Sequence, residues 1–196
     1  MVGRYLKGTL NLGPVYGKLP ATDKDTIIAA ADSDWAADRD SRKSISAHVV
    51  TWQGGPWAWH CKQQDGVATS TTEAEFVSAS TCAKKLLFLS RLAEGMGCKV
   101  QKPIPILEDN RGCRLMSENA QNSSRTRHID TARHNVKDLV EKNLVRLIDC
   151  PTADNPADIL TKALPPSSFI KHRDTILGYT PLSLRSFSTH ASPSTG

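Results

Sequence analysis

The period of apolar positions changes along the chain, and each change marks an element. Thr26 to Ala31 is a short apolar run that stops at Asp32-Ser33-Asp34, which predicts a buried strand with acidic residues at its exit. Ile45–Trp52 is apolar and partly β-branched, and Gln53-Gly54-Gly55-Pro56 then separates it from a second run, Trp57–Cys61. Two runs joined by a Gly-Gly-Pro loop predict a hairpin, and with the first strand an antiparallel trio. From Ser70 the period becomes helical. Ser70-Thr71-Thr72-Glu73 resembles a capping box, and neither proline nor glycine follows until Gly95 and Gly97. Helical steps from Ala79 reach Cys82, Leu86, Leu89 and Ala93, an apolar stripe. One step back from Ala79 lands on Glu75, so a carboxylate sits on the buried face, where an unpaired charge is costly.

After Pro103 and Pro105, Ile106-Leu107 predicts a short strand ending in Glu108-Asp109-Asn110. Arg111–Asn119 follows as a short helix and Asn122–Arg127 as a basic loop. His128–Lys142 is an amphipathic helix, Leu144–Ile148 a strand and Cys150–Pro156 a loop. A last short helix, Ala157–Ala163, is stopped by Pro165-Pro166, with further helical turns within Ser167–Tyr179. This order predicts an α/β architecture, a mixed sheet of about five strands with helices packed on it. The expected organisation is an arm at 1–25, the α/β domain at 26–165, a helical extension at 166–179 and a flexible Ser/Thr/Pro tail at 180–196.

Composition narrows the class. The 196 residues suit one domain, and 25 basic against 20 acidic side chains leave a charge of +5, compatible with a polyanionic partner but weak evidence for one. No apolar run approaches the ~18–20 residues that span a bilayer, so no membrane contact is expected. Met1 to Leu10 carries no apolar stretch typical of a secretory signal. Cys61, Cys82, Cys98, Cys113 and Cys150 are too irregularly spaced for a disulfide framework or zinc knuckle, which fits an intracellular protein with free thiols.

Four acidic residues fall where the chain changes direction. Asp32 ends the first strand, Glu75 lies in the first turns of the long helix, Asp109 ends the fourth strand and Asp158 opens the last short helix. Clustered carboxylates suit hard divalent cations such as Mg²⁺, and two such ions ~3.5–4 Å apart support phosphodiester hydrolysis. Without metal the same cluster suffers like-charge repulsion. Spacing alone does not make the four converge, and strand-end Asp residues are also common turn formers.

Specific motifs add a resemblance. Ala31-Asp32-Ser33-Asp34-Trp35-Ala36, Asp40-Ser41-Arg42-Lys43-Ser44, Gly54-Gly55-Pro56, Trp59 and Lys62-Gln63 come first. Ser70-Thr71-Thr72-Glu73-Ala74-Glu75-Phe76, Asp109-Asn110 and Ser124-Arg125-Thr126-Arg127-His128-Ile129-Asp130 follow, then Ala157-Asp158-Ile159-Leu160-Thr161-Lys162-Ala163-Leu164-Pro165. In this order they resemble the ribonuclease H domain of copia-type LTR retrotransposon polyproteins, over about residues 4–178. Arg4-Tyr5-Leu6-Lys7-Gly8-Thr9 resembles the segment joining that domain to the reverse transcriptase.

The resemblance implies a ribonuclease H-like fold with helices on both sheet faces, and a metal-dependent endonuclease that cleaves the RNA strand of RNA/DNA hybrids. Its acidic tetrad maps onto Asp32, Glu75, Asp109 and Asp158, holding two Mg²⁺ ions for which Mn²⁺ can substitute. Asp34 and Glu73 stand as alternatives to Asp32 and Glu75; strand parity with Ile28 and Ala30 favours Asp32, and the helical stripe favours Glu75. Lys62, Gln63, Asn110, Arg111, Arg125 and Arg127 are the expected substrate contacts, since hybrids are recognised through phosphates and 2′-hydroxyls. Trp52, Trp57 and Trp59 read as packing residues of the hairpin, and His128 and His134 as ordinary helix histidines.

The family context implies a hybrid substrate, a reverse transcriptase domain of the parent polyprotein as partner, and residence in cytoplasmic virus-like particles or the nucleus. Cys150–Pro156 holds no histidine where many ribonucleases H carry a mobile one, which leaves Asp154 as a stand-in. Ala37 and Ala47 replace usual glycines. No reverse transcriptase precedes the domain in this sequence, so a domesticated, non-catalytic module binding nucleic acid or protein is the competing expectation.

Overall fold

The structure, a computed structural model, describes residues 2–19, 26–118, 127–184 and 187. A five-stranded mixed sheet is ordered β3-β2-β1-β4-β5. The strands are β1 (Ile27–Asp34), β2 (Ile45–Trp52), β3 (Gly55–Gln63), β4 (Ile104–Glu108) and β5 (Val145–Asp149). β1, β2 and β3 form the antiparallel meander foreseen from the hairpin signal, while β4 pairs parallel to β1 and β5 parallel to β4. The helices are α1 (Val2–Gly8), α2 (Thr71–Gly95), α3 (Arg111–Glu118), α4 (Arg127–Glu141), α5 (Asp158–Thr161) and α6 (Pro166–Ile176).

Two differences from the sequence pattern matter. β1 does not stop before its acidic residues: Asp32, Ser33 and Asp34 continue the ladder opposite Ala47, Ser46 and Ile45, so Asp32 is a strand residue. The helix expected over 157–163 is a single turn, and Lys162 leaves it with an extended backbone at φ −130, ψ 153.

β1 is Ala-rich because both its faces are covered. Ile27, Ala29 and Ala31 face the larger core with Phe76, Ala79, Cys82, Ala83 and Leu86 of α2, Ile104 and Ile106 of β4, Cys113 of α3 and Val136 of α4. The small methyl groups let α2 lie close to the sheet, and each buried Leu or Phe adds ~1.5–3 kcal/mol. Ile28 and Ala30 face a smaller core with Leu107, Cys150, Ala157 and Leu182. Leu184 and Phe187 pack on that second core, so part of the 180–196 segment is folded back onto the domain.

α2 is capped as its sequence foretells: Ser70 accepts a hydrogen bond from the Glu73 amide. Glu73 itself reaches one residue further back, where its carboxylate accepts from the Thr69 amide at 2.6 Å and hydroxyl at 2.7 Å. Ser78, on the buried face, donates towards the carbonyls of Asp32 and Ala47, tying α2 to β1 and β2. At the other sheet end, Gly178 has φ +82, and a Cβ there would lie 2.1 Å from the Val15 carbonyl oxygen. Only glycine permits that approach, which lets the Val15 amide bond to the Leu177 carbonyl.

Candidate metal centre

Asp32, Glu75 and Asp109 reach one point from three elements. Asp32 comes from β1, Glu75 from the second turn of α2, and Asp109 from just beyond β4, which lies beside β1 through the Ala30–Leu107 pairing. One carboxylate oxygen from each lies within 4.8 Å of the others. Asp34 and Glu73 join no such group among the described residues; strand parity does not separate Asp32 from Asp34, which lies two residues on along the same strand, whereas the helical stripe through Ala79 does run back to Glu75.

Two members of the cluster are deeply buried and strained electrostatically. Asp32 is 1% exposed and Glu75 6% exposed. Burial, reinforced by Asp32 and Asp109, pushes the Glu75 carboxyl up to about 9. Burial likewise raises Asp32, against hydrogen bonds and charge from Thr161 and Lys162 that pull it down. Oε2 of Glu75 has no hydrogen-bond partner although it is buried. Three converging carboxylates, one with an orphaned oxygen, are the hard-oxygen donor set that Mg²⁺ or Mn²⁺ takes. The residues present fit a divalent ion.

Asp158 lies against Asp32, whose carboxyl it helps to raise, without closing on Glu75 and Asp109 as well. It opens α5, is 5% exposed, and its Oδ1 pairs with the Lys162 ammonium at 3.1 Å. The same ammonium lies 3.4 Å from Oδ1 of Asp32, while the Thr161 hydroxyl donates a short hydrogen bond to Oδ2 of Asp32. Burial pulls the Lys162 pKa down, but the two carboxylates outweigh it and hold it above the ordinary lysine value.

The loop before α5 is held from both sides. Asn155 is fully buried; its amide donates to the Ala31 carbonyl at 2.8 Å, and its Oδ1 accepts from the Ala157 amide at 3.1 Å. Asp154 is ion-paired with Lys171 of α6, whose ammonium also bonds to the Ala153 carbonyl.

The expected substrate contacts divide. Lys62 and Gln63 leave β3 at the sheet end that carries Asp32; Lys62 pairs with Asp65 at 3.1 Å and the Gln63 amide donates to Asp38 at 2.9 Å. Asn110 caps α3, with Oδ1 accepting from the Cys113 amide at 2.9 Å, a structural task not foreseen. Arg111 is exposed on the first turn of α3. Arg125 lies outside the described residues, and Arg127 and His128 are described only as backbone of α4. Trp52 and Trp57 meet with their rings tilted by 42° at 4.7 Å and pack on the larger core, but Trp59 is 68% exposed. His134 is exposed.

Sequence reasoning assigned no role to Thr161, Lys162, Asn155 or Glu108. The i,i+4 spacing of Asp158 and Lys162 was a usable signal for their ion pair. Glu108 is fully buried behind the cluster, where its Oε1 accepts from the Asn110 amide, and burial with Glu75 beside it raises its pKa well above the usual range. Its strand parity with Ile104 and Ile106, both in the larger core, was the local signal that could have placed it inward.

Fold and site together define a class, the ribonuclease H fold bearing a carboxylate cluster. The fold matches LC11-RNase H1, solved in complex with an RNA/DNA hybrid, with a TM-score of 0.51 at 13% identity, covering 69% of this chain and 93% of that one. No protein-family model matches the chain. Over 167 residues it is 34% identical to the retrovirus-related Pol polyprotein from transposon TNT 1-94 of Nicotiana tabacum, covering 85% of this chain and 12% of that polyprotein. Over 166 residues it is 32% identical to the corresponding polyprotein from transposon RE1 of Arabidopsis thaliana, covering 85% of this chain and 11% of that polyprotein. Its homologues are thus retrovirus-related Pol polyproteins of plant transposons, of whose length the chain spans only 11–12%. No helix among the described residues is long and apolar enough to cross a membrane.

Proposed function

We propose that this chain is a ribonuclease H that hydrolyses the RNA strand of RNA/DNA hybrids with divalent metal ions. The observation that carries the reading is the convergence of Asp32, Glu75 and Asp109 within 4.8 Å on a ribonuclease H fold. Asp32, Glu75 and Asp109 would hold Mg²⁺ or Mn²⁺, and Asp158 would complete the set for a second ion. Divalent ions bound there supply a water nucleophile at neutral pH and stabilise the charge on the departing oxygen.

The chain's own residues do the positioning. Thr161 fixes the Asp32 carboxylate in one orientation through its hydroxyl. Ser78 anchors the backbone of Asp32 to α2, and so fixes Asp32 relative to Glu75. Asn155 holds the strap carrying Asp158 against β1. Lys62 and Gln63, with Arg111, Arg125 and Arg127, would bind sugar-phosphate rather than base edges, because a hybrid is distinguished by its shape and its 2′-hydroxyls. A reverse transcriptase domain of the parent polyprotein would add affinity, and virus-like particles or the nucleus are where the hybrid would be met.

End-labelled RNA/DNA hybrid, incubated with the chain and titrated Mg²⁺ or Mn²⁺, tests this. The same RNA, single-stranded and in an RNA duplex, and an Asp109→Asn variant serve as controls. Hybrid-only cleavage that needs the ion and disappears in the variant is expected. A folded protein that leaves the hybrid intact under every ion concentration overturns the assignment and favours a non-catalytic binding module.

A further inference from the structure

Among the described residues Lys162 is paired with two members of the acidic set at once, and its geometry bears on how the site fills. Its ammonium lies 3.4 Å from Oδ1 of Asp32 and 3.1 Å from Oδ1 of Asp158. The other oxygen of Asp32 is taken by the Thr161 hydroxyl. Asp32 therefore faces the Glu75–Asp109 side with its remaining lone pairs, while its Asp158 side is neutralised by a resident positive charge. Asp158 touches Asp32 on that side but is not a member of the group that closes within 4.8 Å.

The members differ in freedom. The Asp32 and Asp158 side chains are 1% and 7% exposed, while that of Lys162 is 32% exposed. Lys162 is also the first residue beyond the single-turn helix, on extended backbone, so its stem is not confined by a following helical turn. It is the group that can leave. A phosphodiester arriving at the site is an anion that competes with Asp32 and Asp158 for the ammonium.

We propose that Lys162 is a built-in counter-charge that keeps the Asp32–Asp158 side closed to a second divalent ion until a substrate phosphate draws the ammonium away. This rests on the metal-dependent reading of the site. It makes Lys162 a positioning residue that couples substrate binding to completion of the ion set. The free protein then takes one ion, at Asp32, Glu75 and Asp109, and leaves Asp158 paired to lysine.

Counting bound Mn²⁺ by the paramagnetic resonance of the free ion, on the full chain without nucleic acid, tests the idea independently of cleavage. Wild type and Lys162→Arg are expected to bind one Mn²⁺, and Lys162→Met two. The second ion in the methionine variant should bind at least about ten-fold tighter than in wild type, the minimum from removing a unit charge a few ångström from a divalent ion even in water. If the methionine variant fails to fold, Lys162→Gln makes the same comparison. Equal stoichiometry and affinity in wild type and the uncharged variant overturn the proposal while leaving the carboxylate site standing. No Mn²⁺ bound by any form overturns the metal reading and this inference with it.

Discussion

Replacing Glu75 by glutamine should stabilise the ion-free protein, because glutamine keeps the shape of the side chain and removes a charge that the fold tolerates poorly. The Glu75 carboxyl is 6% exposed, faces Asp32 and Asp109, and has its pKa pushed up from 4.5 to about 9. Between those two values the folded state keeps a proton that the unfolded chain has lost. Since the native state binds more protons there, stability falls as pH rises, by about 1.4 kcal/mol per unit at most. At pH 7 the accumulated penalty is about 3 kcal/mol as an upper figure; sharing of protons with Asp32 brings it to ~1–3 kcal/mol. That is a sizeable part of the ~5–15 kcal/mol that holds a domain folded.

Urea unfolding in EDTA at pH 5, 7 and 8.5 measures it. Glu75→Gln should match wild type near pH 5 and exceed it by ~1–3 kcal/mol above pH 7. Adding Mg²⁺ should raise wild type and narrow the gap, because an ion that binds only the folded state stabilises it. A wild-type slope that survives the substitution unchanged, or a variant weaker at every pH, would refute the account of strained carboxylates.

Two further outcomes concern the scaffold. His48 is 2% exposed, stacks on His60 at 5.1 Å and has both ring nitrogens unpartnered; burial first, then His60 and Lys85, lowers its pKa from 6.5 to about 4. A depressed pKa contributes stability that is intact above pH 6.5 and lost as pH falls towards 4, so His48→Phe should flatten thermal melting across that window, removing up to ~3 kcal/mol of acid sensitivity. Asn155→Ala should cost ~2–4 kcal/mol in chemical denaturation, since it strands the buried Ala31 carbonyl and Ala157 amide that now bond to the side chain. An Asn155 variant as stable as wild type would show that the strap carrying Asp158 is held by something else.

Much of the framework was legible in local pattern. The 3.6-residue stripe through Ala79, Cys82 and Leu86 placed Glu75 inward, and the parity of Ile28 and Ala30 placed Asp32 on the other face of β1 from α2. Those inferences rest on the fixed direction of side chains along one element, which neighbouring residues set. The convergence of Asp109 with them was not of that kind. It depends on β4 lying beside β1, with Ala30 opposite Leu107, across an intervening hairpin and a long helix. The burial of Glu108 and the approach of Lys162 to Asp32 likewise arise between segments far apart in the chain, whereas the capping of Cys113 by Asn110 is local. Periodicity reports which way a side chain points from its own backbone; which charges then meet, and what they do to one another, is decided by sheet order and packing.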